Sequence, residues 1–317
     1  MNIIDYFQSL NPMRLLGNLP GGIAQGIIWG IMALGVYITF RLLDVADLSV
    51  DGTFSTGGAV TVMLILSGRP AWVAILVAIL AGILAGTVTG LLHTKLGIPV
   101  ILAGILTQFS LYSINLHIMG MAANKAVSVD KYHLLLSSRY IPTAIITGGI
   151  IALVLVCVFY WYFGTEQGSA MRATGANPAM CRALGININT MKVLGLALSN
   201  GIVAMAGGLL AQFQGFSDIN MGRGAIVIGL AAVIIGEVLG NAILGKRRNF
   251  FGTLLFVVIG GIIYYLVIVV VLWLKLNSND LKLFTAIVVA LFLAVPYLRS
   301  QKKVKSAKAV KGGADHA

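Results

Sequence analysis

Nine apolar runs, separated by short polar segments, dominate this chain of 317 residues and decide what it can fold into. Most of them approach the roughly 20 residues that an α-helix needs to cross the hydrocarbon of a bilayer. Only 10% of the residues are charged, against about a quarter in soluble domains, and 58% are hydrophobic. We therefore predict an all-α, polytopic helical membrane protein with about nine transmembrane helices, at residues 21–40, 54–66, 71–92, 98–121, 142–163, 193–213, 225–244, 250–274 and 283–298.

Two short segments of different composition flank the predicted membrane domain, residues 21–298. Residues 1–20 are mixed and are expected to lie at the membrane interface, with no signal peptide before the first span. Residues 299–317 form a basic tail. The second run, residues 54–66, is too short to cross alone, so it must borrow residues 51–53 or be a broken helix.

The distribution of basic residues predicts the orientation of the chain in the membrane. Nine spans place the two termini on opposite sides, and the positive-inside rule then puts the tail and the cluster at 246–248 in the cytoplasm. Counting back from the tail makes the polar segment 164–192 cytoplasmic as well. Since the net charge of +12 arises from short loops and the tail, no nucleic acid partner is expected.

The segment 164–192 is the longest polar interruption between two apolar runs, and it carries signals for two short helices. Ser169 is predicted to cap a helix at 170–174 that Gly175 ends. Asn177 is predicted to cap a second helix that begins at Pro178 and closes at Gly185. Two capped helices between membrane spans are typical of a docking surface, but an ordinary folded loop explains the same pattern.

Three carboxylates, those of Asp44, Asp47 and Asp51, stand beside the apolar run that begins at Phe54. Charged groups are costly in lipid and usually line a water-filled path or pair with cations. A solvated turn, marked by Gly52, is the other interpretation. A membrane-embedded hydrolase that uses these carboxylates is conceivable, although no nucleophile is patterned with them.

The fourth apolar run is unusually polar for a membrane helix. Thr107, Ser110 and Ser113 recur every three positions and so lie near one helix face. Further polar side chains in the run are Gln108, Tyr112, Asn115 and His117. Either this helix borders a wetted solute path, or its polar groups form hydrogen bonds between helices.

A weak internal echo suggests that the chain contains an inverted repeat. The sequence DLSVDG at 47–52 resembles DINMGRG at 218–224, and a Gly/Ala-rich apolar run follows each of them. One segment follows an inward span and the other an outward span, so the two units would be inverted, as is typical of transporters. Two such short matches also occur by chance.

Other sequence patterns argue against an ATP site, a metal site or a disulfide bond in this chain. Residues 240–246 fit the phosphate-binding loop G-x-x-x-x-G-K, but Arg247 replaces the required Ser or Thr and the stretch ends a membrane helix. The two cysteines, Cys157 and Cys181, show no metal or disulfide spacing. We therefore expect no ATP site, no metal and no cofactor, and a transport subunit that is driven from elsewhere.

Specific motifs add a resemblance to a known family. The sequences GSAMRATGANP at 168–178 and RALGIN at 182–187, with Lys192 and AMAGG at 204–208, resemble the cytoplasmic coupling loop of ABC-importer permeases of the branched-chain amino acid and ribose type. Residues 47–52 are similar to a stretch of the sugar members of this family. Residues 48–53, 103–115 and 119–124 together are similar to one branch, the permeases of tryptophan/tyrosine-type importers of Gram-positive bacteria. The resemblance covers roughly residues 21–298.

The resemblance implies a permease subunit, not an enzyme, in a bacterial cytoplasmic membrane, importing a small solute such as a tryptophan-like or tyrosine-like amino acid. Its implied partners are cytoplasmic ABC ATPase subunits, an extracellular solute-binding lipoprotein and a second copy of the permease. A sugar or nucleoside substrate, and an ion-coupled secondary transporter, remain alternatives. The expected ATPase-coupling residues are Gly168, Met171, Arg172, Gly175 and Asn177, and those expected along the solute path are Asp47, Ser49, Asp51, Thr107, Gln108 and Asn115.

Overall fold

The computed structural model describes residues 12–245 and 249–274, together with single positions at 283, 286, 287, 290 and 294. Within these residues the chain is helical apart from two three-residue strands. In chain order the elements are α1 (Pro12–Tyr37), which continues as a π-helical turn (Ile38–Leu42), α2 (Val50–Leu66), α3 (Ala71–Thr94), α4 (Val100–Ile118), β1 (Asn124–Ala126), α5 (Ile141–Gly164), α6 (Glu166–Ala176), α7 (Pro178–Ala183), α8 (Ile188–Gln214), β2 (Phe216–Asp218), α9 (Ala225–Leu244) and α10 (Phe250–Trp273).

Eight of the nine predicted spans coincide with helices. Seven described helices are long and apolar enough to cross a membrane, and α2, with 17 residues, is shorter. Since α2 begins at Val50, the second run does borrow the preceding residues. Helix α1 already begins at Pro12, within the segment predicted to lie at the interface. The ninth span, 283–298, and the basic tail, 299–317, lie outside the continuously described stretches.

The predicted punctuation of segment 164–192 is correct for its second helix and wrong for its first. Asn177 caps α7 by accepting a hydrogen bond from the Met180 amide at 3.0 Å, and Gly185 adopts a φ of +80°. The first helix, α6, is longer than predicted because Thr165, one turn before Ser169, accepts the hydrogen bond from the Gly168 amide at 3.3 Å. Gly175 remains helical instead of ending α6.

Helices α1 and α8 form the core of the helix bundle. In each of these two helices 83% of the most apolar 18-residue stretch is buried, compared with 22–39% in the other long helices. Helices α3, α4 and α5 instead expose large apolar side chains such as Leu84, Phe109 and Ile146, as expected for surfaces that face lipid or a partner subunit. Most residues of α2, including its polar residues Thr53, Ser55, Thr56 and Thr61, are also buried.

Glycines spaced four residues apart, Gly22, Gly26 and Gly30 on α1 and Gly82, Gly86 and Gly90 on α3, allow close contacts between helices. Gly26 faces α10, where an added Cβ would lie 2.6 Å from the Ile262 Cα. Gly86 faces α8, where an added Cβ would overlap the Leu196 carbonyl oxygen. Small residues at these positions allow the helix backbones to pack directly against each other.

The pattern of contacts between helices favours the predicted inverted repeat. When α1, α2 and α3 are paired with α8, α9 and α10, most of the main contacts correspond. Helix α1 packs along α10 as α8 packs along α3, and α2 packs on α3 as α9 packs on α10. The strands β1 and β2 pair antiparallel and join the segment after α4 to the segment after α8.

Candidate functional site: a cavity where two helices begin

Helices α2 and α9 begin next to each other inside the bundle, at the two segments that echo each other in the sequence. The Asp51 carboxylate accepts hydrogen bonds from the Gly224 amide at 2.9 Å and the Ile226 amide at 3.0 Å. The Ser55 hydroxyl accepts another from the Gly222 amide at 3.0 Å. A carboxylate at this place stabilises the positive end of the α9 dipole and satisfies amides that have no partner within the helix.

Asp47 belongs to a separate, closed network in the core. Its side chain is 2% exposed and accepts hydrogen bonds from the Ser49 hydroxyl at 2.6 Å, the Ser49 amide at 2.9 Å and the Asn200 amide group at 2.7 Å. Asn200 lies near the middle of α8, so this irregular backbone is enclosed by protein, as non-helical segments at membrane depth must be. Asp47 and Ser49 are not among the residues that line the cavity described below.

A charge-swap test follows from the Asp47 network. We expect Asp47→Asn and Asn200→Asp each to destabilise the protein by about 1.5–3 kcal/mol. The first variant places two side-chain amide groups against each other, and the second places two carboxylates against each other. The double variant restores a carboxylate–amide pair and is expected to recover most of the loss. Thermal unfolding of the purified protein measures this cycle. Additive losses in the double variant would contradict the network.

A cavity of about 280 Å³ lies between α2, α4 and residues 219–223. Helix α4 contributes Gln108, Phe109, Tyr112 and Asn115 to its wall. The opposite wall includes Asp51, Asn220 and Arg223. The cavity thus combines aromatic faces with amide, carboxylate and guanidinium groups, which is typical of small-molecule sites that orient a ligand by a few polar contacts.

The polar face of α4 that reaches the cavity differs from the predicted one. Gln108, Tyr112 and Asn115, spaced four and three residues apart, line the cavity. Thr107 instead ties α4 to α3, because its hydroxyl accepts a hydrogen bond from Thr89 at 2.9 Å and donates to the Ala103 carbonyl at 3.0 Å. Of the six predicted path residues, the structure brings Asp51, Gln108 and Asn115 together at the cavity.

Asn115 has an unusual environment for a polar side chain. It is 1% exposed, and within the described part of the chain neither its amide nitrogen nor its amide oxygen has a hydrogen-bond partner. A buried polar group without a partner costs about 1–3 kcal/mol. Asn115 also lines the cavity, so this unpartnered amide lies in its wall.

Most of the predicted coupling residues pack segment 164–192 against the rest of the helix bundle. A side chain at Gly175 would overlap the Leu42 carbonyl, and one at Gly168 would overlap the Tyr162 carbonyl. Met171 is fully buried, and the Arg172 guanidinium lies 5.3 Å from the centre of the Phe250 ring. These residues therefore fix the position of α6 on the bundle.

Helix α7 and the residue that follows it carry two exposed apolar side chains that the sequence analysis did not single out. Met180 and Leu184 are 58% and 65% exposed on an otherwise polar segment. Asn177 is also exposed, and its side chain is used to cap α7. Two exposed apolar side chains on a capped, rigid helix are typical of an interaction surface.

Comparisons with known proteins place the chain among membrane permeases. A family model described as branched-chain amino acid transport system / permease component matches residues 18–296. The chain is 40% identical over 288 residues to the tyrosine transport system permease protein of Clostridioides difficile (strain R20291), covering 90% of this chain and 94% of that protein. It is 30% identical over 259 residues to the ribose import permease of Bacillus subtilis (strain 168), covering 79% and 75%. Among solved structures, PsaBC from Streptococcus pneumoniae in complex with Fab matches 84% of this chain and 95% of its own, with a TM-score of 0.37 and 18% identity.

Proposed function

Because this chain belongs to the family of branched-chain amino acid transport system permease components, a family of ABC-importer subunits, we propose that it carries a tyrosine-like aromatic amino acid through the cavity between α2 and α4. The relative that is 40% identical is a tyrosine transport permease, whereas the ribose permeases are less similar. The observation that supports this proposal most directly is the cavity itself, in which Phe109 and Tyr112 lie beside amide and charged groups.

The chemistry of the cavity suits an aromatic zwitterion better than a sugar. An aromatic ring stacks favourably on the rings of Phe109 and Tyr112. Asp51 and Arg223 provide opposite charges on the other wall, which would complement an ammonium and a carboxylate group. A sugar has no charged group to pair with Arg223, whose guanidinium has no ion-pair partner in the described part of the chain.

Energy for transport comes from ATPase partners, as the family implies. We propose that these subunits dock on α6 and α7, with Met180 and Leu184 at the contact and with Gly168, Met171, Arg172 and Gly175 passing the movement to the bundle. An extracellular solute-binding lipoprotein and a second permease copy complete the proposed complex. Arg172 and Phe250 join α6 directly to the start of α10, so a displacement of α6 would reach a membrane helix.

Docking of the cytoplasmic ATPase subunits on α7 would place α7 in the cytoplasm, and we propose that the C-terminal tail lies on the same side of the membrane. In a Cys157→Ser background, we expect Lys131→Cys to react with a membrane-impermeant thiol reagent in intact cells and Arg182→Cys to react only after permeabilisation. Both positions are exposed in the structure, so the membrane alone would cause the difference. Labelling of Arg182→Cys in intact cells would contradict the orientation.

Uptake by the reconstituted complex tests the proposed substrate. Proteoliposomes that contain the permease, its ATPase and its binding protein are expected to accumulate labelled tyrosine with ATP and not with ADP. An excess of ribose should not compete, and a proton ionophore should not reduce uptake, because the energy comes from ATP. Uptake of ribose in place of tyrosine would support the sugar alternative, and collapse with the ionophore would support ion coupling.

A further inference from the structure

We propose that Arg223 anchors the carboxylate of the transported solute, with Asn115 as a second polar contact in the same cavity. This inference rests on the proposed function and names the group that recognises the anionic end of the substrate. Both side chains line the cavity, although they come from segments more than 100 residues apart.

The first observation is that Arg223 is a cation without a counter-charge. Its side chain is exposed at the cavity, and within the described part of the chain no ion pair or hydrogen bond engages its guanidinium. The nearby Asp51 carboxylate is directed to the Gly224 and Ile226 amides instead. A guanidinium that lines a cavity without a protein partner remains available to bind a carboxylate there.

The second observation is that the amides at the start of α9, which could otherwise bind an anion, already donate to the Asp51 carboxylate. The start of α9 could bind a carboxylate through its free amides and its dipole. Here Asp51 takes the Gly224 and Ile226 amides, so a carboxylate in the cavity meets the Asp51 charge at this helix end. The guanidinium of Arg223 is thus the favourable partner that remains, and its planar fork matches a carboxylate.

The third observation is the buried, unpartnered amide of Asn115. It is 1% exposed, and neither of its polar atoms has a hydrogen-bond partner in the described part of the chain, so a small rearrangement of the cavity wall on solute binding would let the solute satisfy them. Phe109 and Tyr112 lie on the same helix and line the same cavity, where they would receive an aromatic ring. Together the residues define a ligand with one carboxylate, further hydrogen-bonding groups and an aromatic side chain.

Protection of a cysteine in the cavity tests the anchor without relying on the specificity of the binding protein. Asn220 is exposed and lines the cavity, so Asn220→Cys in a Cys157→Ser background provides a reporter in the permease–ATPase complex. We expect tyrosine and 3-(4-hydroxyphenyl)propionate, which keep the carboxylate, to slow its thiol labelling. Tyramine, which lacks the carboxylate, should not slow labelling at the same concentration.

Variants of Arg223 then separate recognition from structure. Arg223→Gln is expected to raise the tyrosine concentration for half-protection at least about tenfold, the effect of losing a charged hydrogen bond. Arg223→Lys, which keeps the cation, should be intermediate. Arg69→Gln removes the same charge from the turn after α2, outside the cavity, and should match the parent.

The outcomes distinguish this inference from the proposed function. If the parent complex imports tyrosine and tyrosine protects the reporter, but Arg223→Gln is protected equally or tyramine protects as well as tyrosine, the anchor is wrong and the function stands. If the parent complex neither imports tyrosine nor is protected by it, both the function and the anchor fail.

Discussion

The double variant Met180→Glu/Leu184→Glu is expected to abolish ATPase binding and solute-stimulated ATP hydrolysis while leaving the permease folded. The two side chains are 58% and 65% exposed, so their replacement removes no packing from the core. Apolar anchors at the centre of an interface are often worth about 2 kcal/mol each, which predicts a loss in affinity of more than about 100-fold. The cap at Asn177 and the buried Cys181 continue to hold α7 in place.

Co-purification of the ATPase with the tagged permease measures this loss, with thermal unfolding of the permease as the check on folding. Asn189→Glu/Thr190→Glu is the matched control, because it adds the same charge to exposed polar positions at the start of α8. Negative charge is favourable there. Normal ATPase binding by the Met180/Leu184 variant, or equal losses in both variants, would rule out α7 as the docking site.

Local sequence signals predicted most of the fold, because each is decided within a few residues. The apolar runs are long enough to specify membrane helices without knowledge of their neighbours. The pair Asn177 and Pro178 specified the start of α7 in the same way. The cap of α6 was misassigned because Thr165 and Ser169 are both good capping residues one turn apart. Only the packing of α6 on the π-helical turn decides between them.

The composition of the cavity could be predicted only in part, since it depends on contacts between distant segments. Helix α4 carries polar side chains on several faces, so periodicity could not choose between the face of Thr107 and that of Asn115. The separate roles of Asp47 and Asp51 follow from Asn200 and from the start of α9. Arg223 lay inside the noted echo at 218–224, but its solitary charge was evident only when the cavity was seen.

Replacing Asn115 with leucine is expected to stabilise the protein and stop transport at the same time. Leucine has a similar size and removes two buried polar atoms that have no partner in the described part of the chain. Removing such a buried, unpartnered polar group stabilises the folded state by about 1–3 kcal/mol, which should raise the melting temperature. The same change removes solute contacts and is expected to lower uptake at least about tenfold. A stability gain joined to a functional loss is typical of a residue that is kept for ligand binding.

Thr107→Val on the same helix is the matched control. Thr107 is buried, but its hydroxyl bonds to Thr89 and to the Ala103 carbonyl instead of facing the cavity. Its loss should lower the melting temperature by removing hydrogen bonds and leave tyrosine uptake near the parent value. The two variants are therefore expected to shift the melting temperature in opposite directions, and only Asn115→Leu is expected to lose uptake.

The measurement that most directly tests the cavity as the transport route is ATP-driven tyrosine uptake and melting temperature in the same preparations of parent, Asn115→Leu and Thr107→Val complexes. We expect Asn115→Leu to melt above the parent and to transport less than about a tenth as fast. Tyrosine uptake at the parent rate by Asn115→Leu would contradict the assignment of this cavity to the solute.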